Sequence, residues 1–286
     1  MALSALSGDE QGILFVQLCN VLDPGIAVAL SSVSNELRTA TRVPLQQLKT
    51  GHEAAAALCR KLGHRNCKAL REAKGVRCWR KSLSADELKL LGTLGSVLPA
   101  LEDMTLREPA AGPDGVQQLA AGLRAGALPA MTWLRIGYTH VGDAGASALA
   151  AALGQGALPR LKDLTLFNAA IGDAGLVALA PALRRRPALE RLAFSFNPFG
   201  DEGLAALVAP PPADAPPPQA EALVKLKRLY LIDTQITDDG CAHLASRLRS
   251  GALPALAELY LEGTPASEAA RAAVYVVIWP RRFAKK

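Results

Sequence analysis

The sequence predicts an α/β solenoid, with short parallel strands on its concave face and helices on its convex face, preceded by a small all-α N-terminal region. Three observations predict it. A Leu-x-x-Leu-x-Leu pattern recurs at a near-constant interval. A Gly-Asp-x-Gly turn, or a close variant, follows four of the copies at a fixed distance. Half of the 286 residues are apolar but aromatics make up only 5%, which suits closely stacked aliphatic side chains better than one large irregular core.

The pattern opens at Leu101, Met131, Leu161, Leu189, Leu226 and Leu256, at spacings of 30, 30, 28, 37 and 30 residues. Within a copy, Leu164 and Leu166 alternate as in a short strand, with Thr165 on the opposite face. Leu229/Leu231 repeat this, and Leu134/Ile136 and Leu192/Phe194 vary it conservatively. Five residues beyond the second strand apolar, Val141, Ile171, Phe199 or Ile236 turns the chain inward. The turns that follow carry Asp143, Asp173, Asp201 and Asp238, each placed to accept from free amides at a helix N-terminus and to meet its positive dipole end. The glycine two residues later reads as letting the new helix approach the strand layer.

Leucines then recur at helical spacing, in Leu149/Leu153, Leu179/Leu183 and Leu244/Leu248. Gly-Ala-Leu-Pro closes three units at Gly126–Pro129, Gly156–Pro159 and Gly251–Pro254. One unit cannot bury its apolar face alone, whereas a stack of six can.

These features resemble the ribonuclease-inhibitor type of leucine-rich repeat over about residues 98–279. That family uses an asparagine to bond backbone amides between coils. Only Asn197 matches it here, with Pro109, Thr139, Ala169, Thr234 and Thr264 in the other copies. Threonine can supply part of such a ladder; proline and alanine cannot.

The repeat domain is expected over residues 83–286, with ends that differ from the middle. Ser84-Ala-Asp-Glu87 is a capping-box pattern opening a helix through about Val97, read as the N-terminal cap. The last unit keeps Leu256, Leu259 and Leu261 and loses the Gly-Asp-x-Gly turn. Its helix should place Val274 and Ile278 in the core and stop at Trp279-Pro280. A Pro-rich insertion at 209–219 should form a polyproline-II surface loop, a spacer or a ligand for a Pro-rich-binding module.

Residues 1–82 read as an N-terminal helical region. Ile13–Leu22 suggests a short buried helix stopped by Asp23-Pro24, followed by helical stretches near Ile26–Leu30 and Val33–Thr39, with Val33 and Leu37 on one face. This order, with Val33-Ser-Asn-Glu-Leu37-Arg38, resembles the F-box over about residues 10–55, without that module's usual opening Leu-Pro. The resemblance implies docking on a Skp1-type adaptor of ubiquitin ligases. A plain helical bundle capping the solenoid accounts for the same leucines.

The formal charge of +6 is uneven, because Arg60–Lys81 holds nine Lys/Arg and one acid, Glu72. That stretch reads as a solvated basic connector, or as a weak, salt-sensitive nucleic-acid contact with only Trp79 to stack on a base. The five irregularly spaced cysteines (Cys19, Cys59, Cys67, Cys78, Cys241) suit reduced thiols. Met1-Ala-Leu-Ser lacks a basic start, and the apolar runs Ile13–Leu22 and Ala272–Trp279 are too short to span a bilayer. A soluble cytoplasmic or nuclear protein is expected, without a membrane partner.

Catalysis, a cofactor and a metal are not expected. Cys59, His64, Cys67 and Cys78 match no compact zinc module, and His52-Glu53 lacks the second histidine of a zinc helix. There is neither a phosphate loop nor a Gly-x-Ser-x-Gly nucleophile turn. The outward strand positions are more informative. They carry Asp103, Thr105 and Arg107; Trp133, Arg135 and Tyr138; Asp163, Thr165 and Phe167; Arg191 and Phe196; Arg228, Tyr230 and Asp233; and Glu258, Tyr260 and Glu262. Six of the thirteen aromatics fall on this one predicted surface. Trp and Tyr beside Arg are typical protein-binding anchors. The candidate partner-binding residues are therefore Trp133, Arg135, Tyr138, Phe167, Arg191, Phe196, Arg228, Tyr230 and Tyr260. The expected function is a protein-interaction scaffold, with an F-box-like substrate receptor as its sharper form. A small-GTPase regulator is the alternative that the repeat family suggests.

Overall fold

The computed structural model describes residues 20–33, 35–111, 114–210 and 223–283. The helix expected over Ile13–Leu22 and the polyproline loop expected over 209–219 lie largely outside them. The chain divides into two compact units: Met1–Ala73 with Val97–Pro99, and Lys74–Ser96 with Ala100–Lys286.

The described part of the first unit is mainly helical, with α1 (Gly25–Ser31), α2 (Asn35–Ala40), α3 (Arg42–Leu62) and α4 (Cys67–Arg71). The first two fall on the stretches that the sequence marks as helical. In α3 the buried residues Leu48, Ala55, Leu58, Cys59 and Leu62 recur at helical spacing. Ala27 and Leu48 form a small core, with Val21, Leu30 and Leu45 packed against it. Asn66 caps α4, its Oδ1 accepting from the Ala69 amide at 2.8 Å.

The basic stretch Arg60–Lys81 is not a connector. It holds the last turn of α3, all of α4 and a strand, β1 (Gly75–Trp79). Val76 and Cys78 are buried between exposed Gly75, Arg77 and Trp79, an alternation that the surrounding charges obscured. The repeat array therefore starts one unit earlier than its leucines suggest. Its boundary falls at residue 74, not 83.

The second unit is one seven-stranded parallel sheet in chain order. After β1 come β2 (Asp103–Arg107), β3 (Trp133–Gly137), β4 (Asp163–Phe167), β5 (Arg191–Ala193), β6 (Arg228–Tyr230) and β7 (Glu258–Tyr260). The helices between and after them are α5 (Ala85–Thr93), α6 (Gly115–Gly122), α7 (Gly142–Gly154), α8 (Asp173–Arg184), α9 (Asp201–Leu207), α10 (Asp238–Arg249) and α11 (Glu268–Phe283). Each of these helices packs on the next along the chain. One face of the strands sends Met104, Leu106, Leu134, Ile136, Leu164, Leu166, Leu192, Leu229 and Leu259 into the core. The helix leucines and the inward-turning Val141, Ile171, Phe199 and Ile236 are buried with them.

Ser84 forms both halves of its capping box: its Oγ accepts from the Glu87 amide, while Glu87 accepts from the Ser84 amide. The helix it opens ends at Thr93, and a 3₁₀ turn continues to Val97. With β1 ahead of it, α5 belongs to a full repeat and is not a terminal cap. At the other end Val274 and Ile278 are buried as expected, but α11 runs through Pro280 to Phe283. Proline removes one amide donor, and the carbonyl it orphans belongs to Val276, a residue that faces solvent.

Three kinds of rung tie the coils together. Each turn aspartate lies in the first turn of its own helix and caps the next one instead. Asp143 accepts from the Gly172 amide at 2.7 Å, and Asp173 from those of Gly200 and Gly203 at 2.9 and 2.7 Å. Asp201 and Asp238 likewise take the amides and hydroxyls of Thr237 and Ser267. The following glycine answers the preceding coil, not the strand layer: a Cβ on Gly240 would sit 2.0 Å from Asp201 Oδ1, and one on Gly175 2.5 Å from Asp143 Oδ1.

Arginines supply the opposite rung. Arg186 donates to the Leu153 carbonyl in the last turn of α7 and to the Ala157 and Leu158 carbonyls beyond it, and Arg247 to the Val208 carbonyl after α9. The third rung is polar and buried. Asn197 Oδ1 accepts from the Ala169 and Ile171 amides, and its Nδ2 donates to the Leu166 and Phe194 carbonyls. Thr139 accepts from the Glu108 amide, whereas Thr234 and Thr264 donate only within their own turns. Beside Pro109, the buried carboxylate of Glu108 fills the gap by accepting from the Lys81 and Leu83 amides.

Candidate protein-binding face

Strand register arranges the outward side chains in rows across the sheet. The first row runs Asp103, Trp133, Asp163, Arg191, Arg228, Glu258. The second runs Arg77, Thr105, Arg135, Thr165, Ala193, Tyr230, Tyr260. Trp79 pairs with Arg107, and Gly137 with Phe167, in a third. Alternation dictates this: neighbouring strand residues point to opposite faces, so every second residue leaves the core. Tyr138 and Phe196 follow their strands in left-handed conformation, with φ of 54° and 61°.

All nine predicted partner-binding residues are on the strands of this one sheet or within three residues after them, and they sort into two groups. Trp133, Arg135, Arg191, Arg228, Tyr230 and Tyr260 share the first two rows. Here cations meet carboxylates: Arg135–Asp103 at 3.5 Å, Arg191–Asp163 at 3.0 Å and Arg228–Glu258 at 3.8 Å. Lys227 and Glu190 pair beside them at 2.6 Å. Burial disfavours the Arg191 charge, yet Asp163 and Tyr230 together outweigh it and raise its pKa. The rings are engaged as well. Tyr230 and Tyr260 stack at 4.6 Å, Arg191 lies over Tyr230, and Arg135 over Trp133. A hollow of about 490 Å³ remains between Trp133, Arg191 and Tyr230.

Tyr138, Phe167 and Phe196 form the second group, a tilted row of rings with centroids 5.2 and 4.8 Å apart. Tyr138 and Phe196 line a groove of about 1100 Å³ whose other walls include Trp79, Arg80, Arg107, Pro109 and His140. Trp79 is the most open of its rings at 57% exposed, followed by Tyr138 at 48% and Phe196 at 44%. The Arg107 guanidinium bridges Trp79 and Tyr138, 5.0 and 5.3 Å from their centroids.

Trp79, Arg80 and His140 were not among the anchors read from the sequence. A signal for β1 was present nonetheless: Leu83 follows Cys78 by five residues, as Val141 follows Ile136. The missing first leucine of the pattern and the charge run hid it. Among the residues weighed for zinc, the Cys59 and Cys67 sulfurs are 3.7 Å apart and buried, while Cys78 belongs to the other unit. Among the described residues no three His, Cys, Asp or Glu side chains converge on one point. No helix among them is long and apolar enough to cross a membrane.

A Leucine Rich repeat family model matches residues 131–150, 159–180 and 187–208. Among solved structures, internalin C2 from Listeria monocytogenes str. 4b F2365 is 17% identical with a TM-score of 0.38, covering 75% of this chain and 85% of its own. A second internalin from that strain is 14% identical with a TM-score of 0.33, covering 66% of this chain and 54% of its own. Leiomodin-1 Actin-Binding Site 2 is 15% identical with a TM-score of 0.33, covering 44% of this chain and 82% of its own. No curated protein matches the sequence. The matched repeats and the strand–helix order make this fold a leucine-rich-repeat solenoid preceded by a helical region.

Proposed function

We propose that this leucine-rich-repeat solenoid holds a protein partner against the open face of its sheet. One observation carries the reading: exposed Trp and Tyr rings, interleaved with arginines, converge on a single face while the opposite strand positions fill the core. Tryptophan, tyrosine and arginine dominate the energy of protein interfaces, because they bury large areas at small entropic cost. The face is held rigid by parallel pairing and by coil-to-coil rungs, so little ordering entropy is spent on binding.

The sharper form of this proposal makes the N-terminal region an F-box-like dock for a Skp1-type adaptor, with the sheet as substrate receptor. It rests on the sequence resemblance at 10–55 and on the exposed Ile26, Val33 and Val43 of the first unit.

One capture experiment tests both levels, using the full chain as bait beside Trp133→Ala/Tyr230→Ala and Val33→Asp/Val43→Asp. The first variant is expected to lose the partner, each ring contributing roughly 2 kcal/mol. The second is expected to lose only the adaptor. Undiminished capture by the Trp133→Ala/Tyr230→Ala chain overturns the scaffold proposal. Absence of an adaptor from every bait removes the ubiquitin-ligase form alone.

A further inference from the structure

Charge is distributed unequally across the open face. In the first two rows Arg135, Arg191 and Arg228 are matched by carboxylates on neighbouring strands, Asp103, Asp163 and Glu258, and among the described residues only Arg77, on β1 at the edge, is not. In the third row and just past it there is no such matching. Among the described residues, neither Arg80 nor Arg107 has an ion-pair partner. Glu108, next to Arg107 in the chain, is fully buried and spends both carboxylate oxygens on the Lys81 and Leu83 amides. The Trp79–Phe196 groove therefore combines open rings with two uncompensated guanidiniums and has no acid in its lining.

We infer that this groove takes an acidic peptide segment, its carboxylates paired with Arg80 and Arg107 and an aromatic or aliphatic side chain seated among Trp79, Tyr138 and Phe196. The inference rests on the scaffold proposal and specifies the chemistry of its partner. Electrostatic complementarity favours a carboxylate-bearing occupant, because its negative charge meets no competing acid in the groove. Guanidinium forks also match carboxylates in shape, and rings beside them shield the pairs from water. A single-stranded nucleic acid fits less well. The Arg107 guanidinium already covers one face each of Trp79 and Tyr138, and the ring row is tilted by 53–60°, which leaves no run of parallel platforms for bases.

The test is selection of a phage-displayed library of random peptides on the full chain, with anisotropy measurements on the peptides recovered. Recovered sequences are expected to be enriched in Asp and Glu around an aromatic or aliphatic residue. Their affinity is expected to fall roughly tenfold in Arg107→Gln and in Arg80→Gln, and to be unchanged in Lys89→Gln on the helical side. Arg80, unlike Arg107, has no cation–π contact among the described residues, so its variant separates lost charge from disturbed ring packing, and circular dichroism verifies the fold of each chain. A recovered pool no more acidic than the input, or equal binding by both arginine variants, overturns the inference. So does an oligouridine that binds the groove and displaces nothing acidic. If peptide selection fails while capture still depends on Trp133 and Tyr230, the scaffold proposal stands and only the occupant is wrong.

Discussion

Single side chains in this protein do work that their neighbours in sequence do not reveal. Cys78 is fully buried, and burial together with the Glu108 carboxylate pushes its thiol up to about 12. In an unfolded chain the same thiol ionises at about 8.5. Below that value both states keep the proton. Above it the unfolded chain releases the proton first, so stability is lost as pH rises towards the folded value. Urea unfolding between about pH 8 and about pH 10.5 should therefore show a steeper decline in the native chain than in Cys78→Ala. The difference is expected to reach about 1.4 kcal/mol per pH unit. Parallel curves would mean that the thiol ionises normally.

At the scale of the repeat element, what matters is how many backbone groups a buried side chain satisfies. Asn197 serves amides of the preceding turn and carbonyls of both turns, all shielded from water. Asn197→Ala strands several of them, and about 2–4 kcal/mol of stability is the expected loss by urea titration. Thr234 satisfies only the Leu231 carbonyl, so Thr234→Val should cost about 1 kcal/mol. Equal effects would refute this account of the ladder. Repeats without the asparagine still tie their coils together, since Thr139 and Glu108 bond backbone amides by other routes.

Across the whole molecule, stability passes from one coil to the next, as expected of a one-dimensional array. The aspartate-to-next-helix contact is the joint that can be tested most directly. Gly240→Ala places a Cβ on the Asp201 carboxylate and should destabilise by about 1–3 kcal/mol. Asp201→Ala should cost about 1 kcal/mol, the value of a helix cap. The double variant should cost less than their sum, because the clash vanishes with the carboxylate. Strict additivity would show that the two residues do not share a joint. Gly154→Ala is the contrast: its Cβ meets nothing within 4 Å, so no loss is expected. The same array also carries the open face, where its ion-paired strands and its cationic, ring-lined groove present two chemistries side by side.

The alternating leucines, the inward apolar five residues on and the helix leucines were enough to determine the repeat, the strand–helix order and the face on which the candidate residues gather. Each is a local periodicity, and a short strand or helix shows its buried side within one turn or two. The tertiary structure alone decided what crosses between coils. It directed each turn aspartate to the next helix, and it made Gly75–Trp79 a strand by pairing it with Asp103–Arg107. It also determined which arginines have partners. Those contacts join residues about 28–37 positions apart, where no periodicity within a segment reports the distance between side chains.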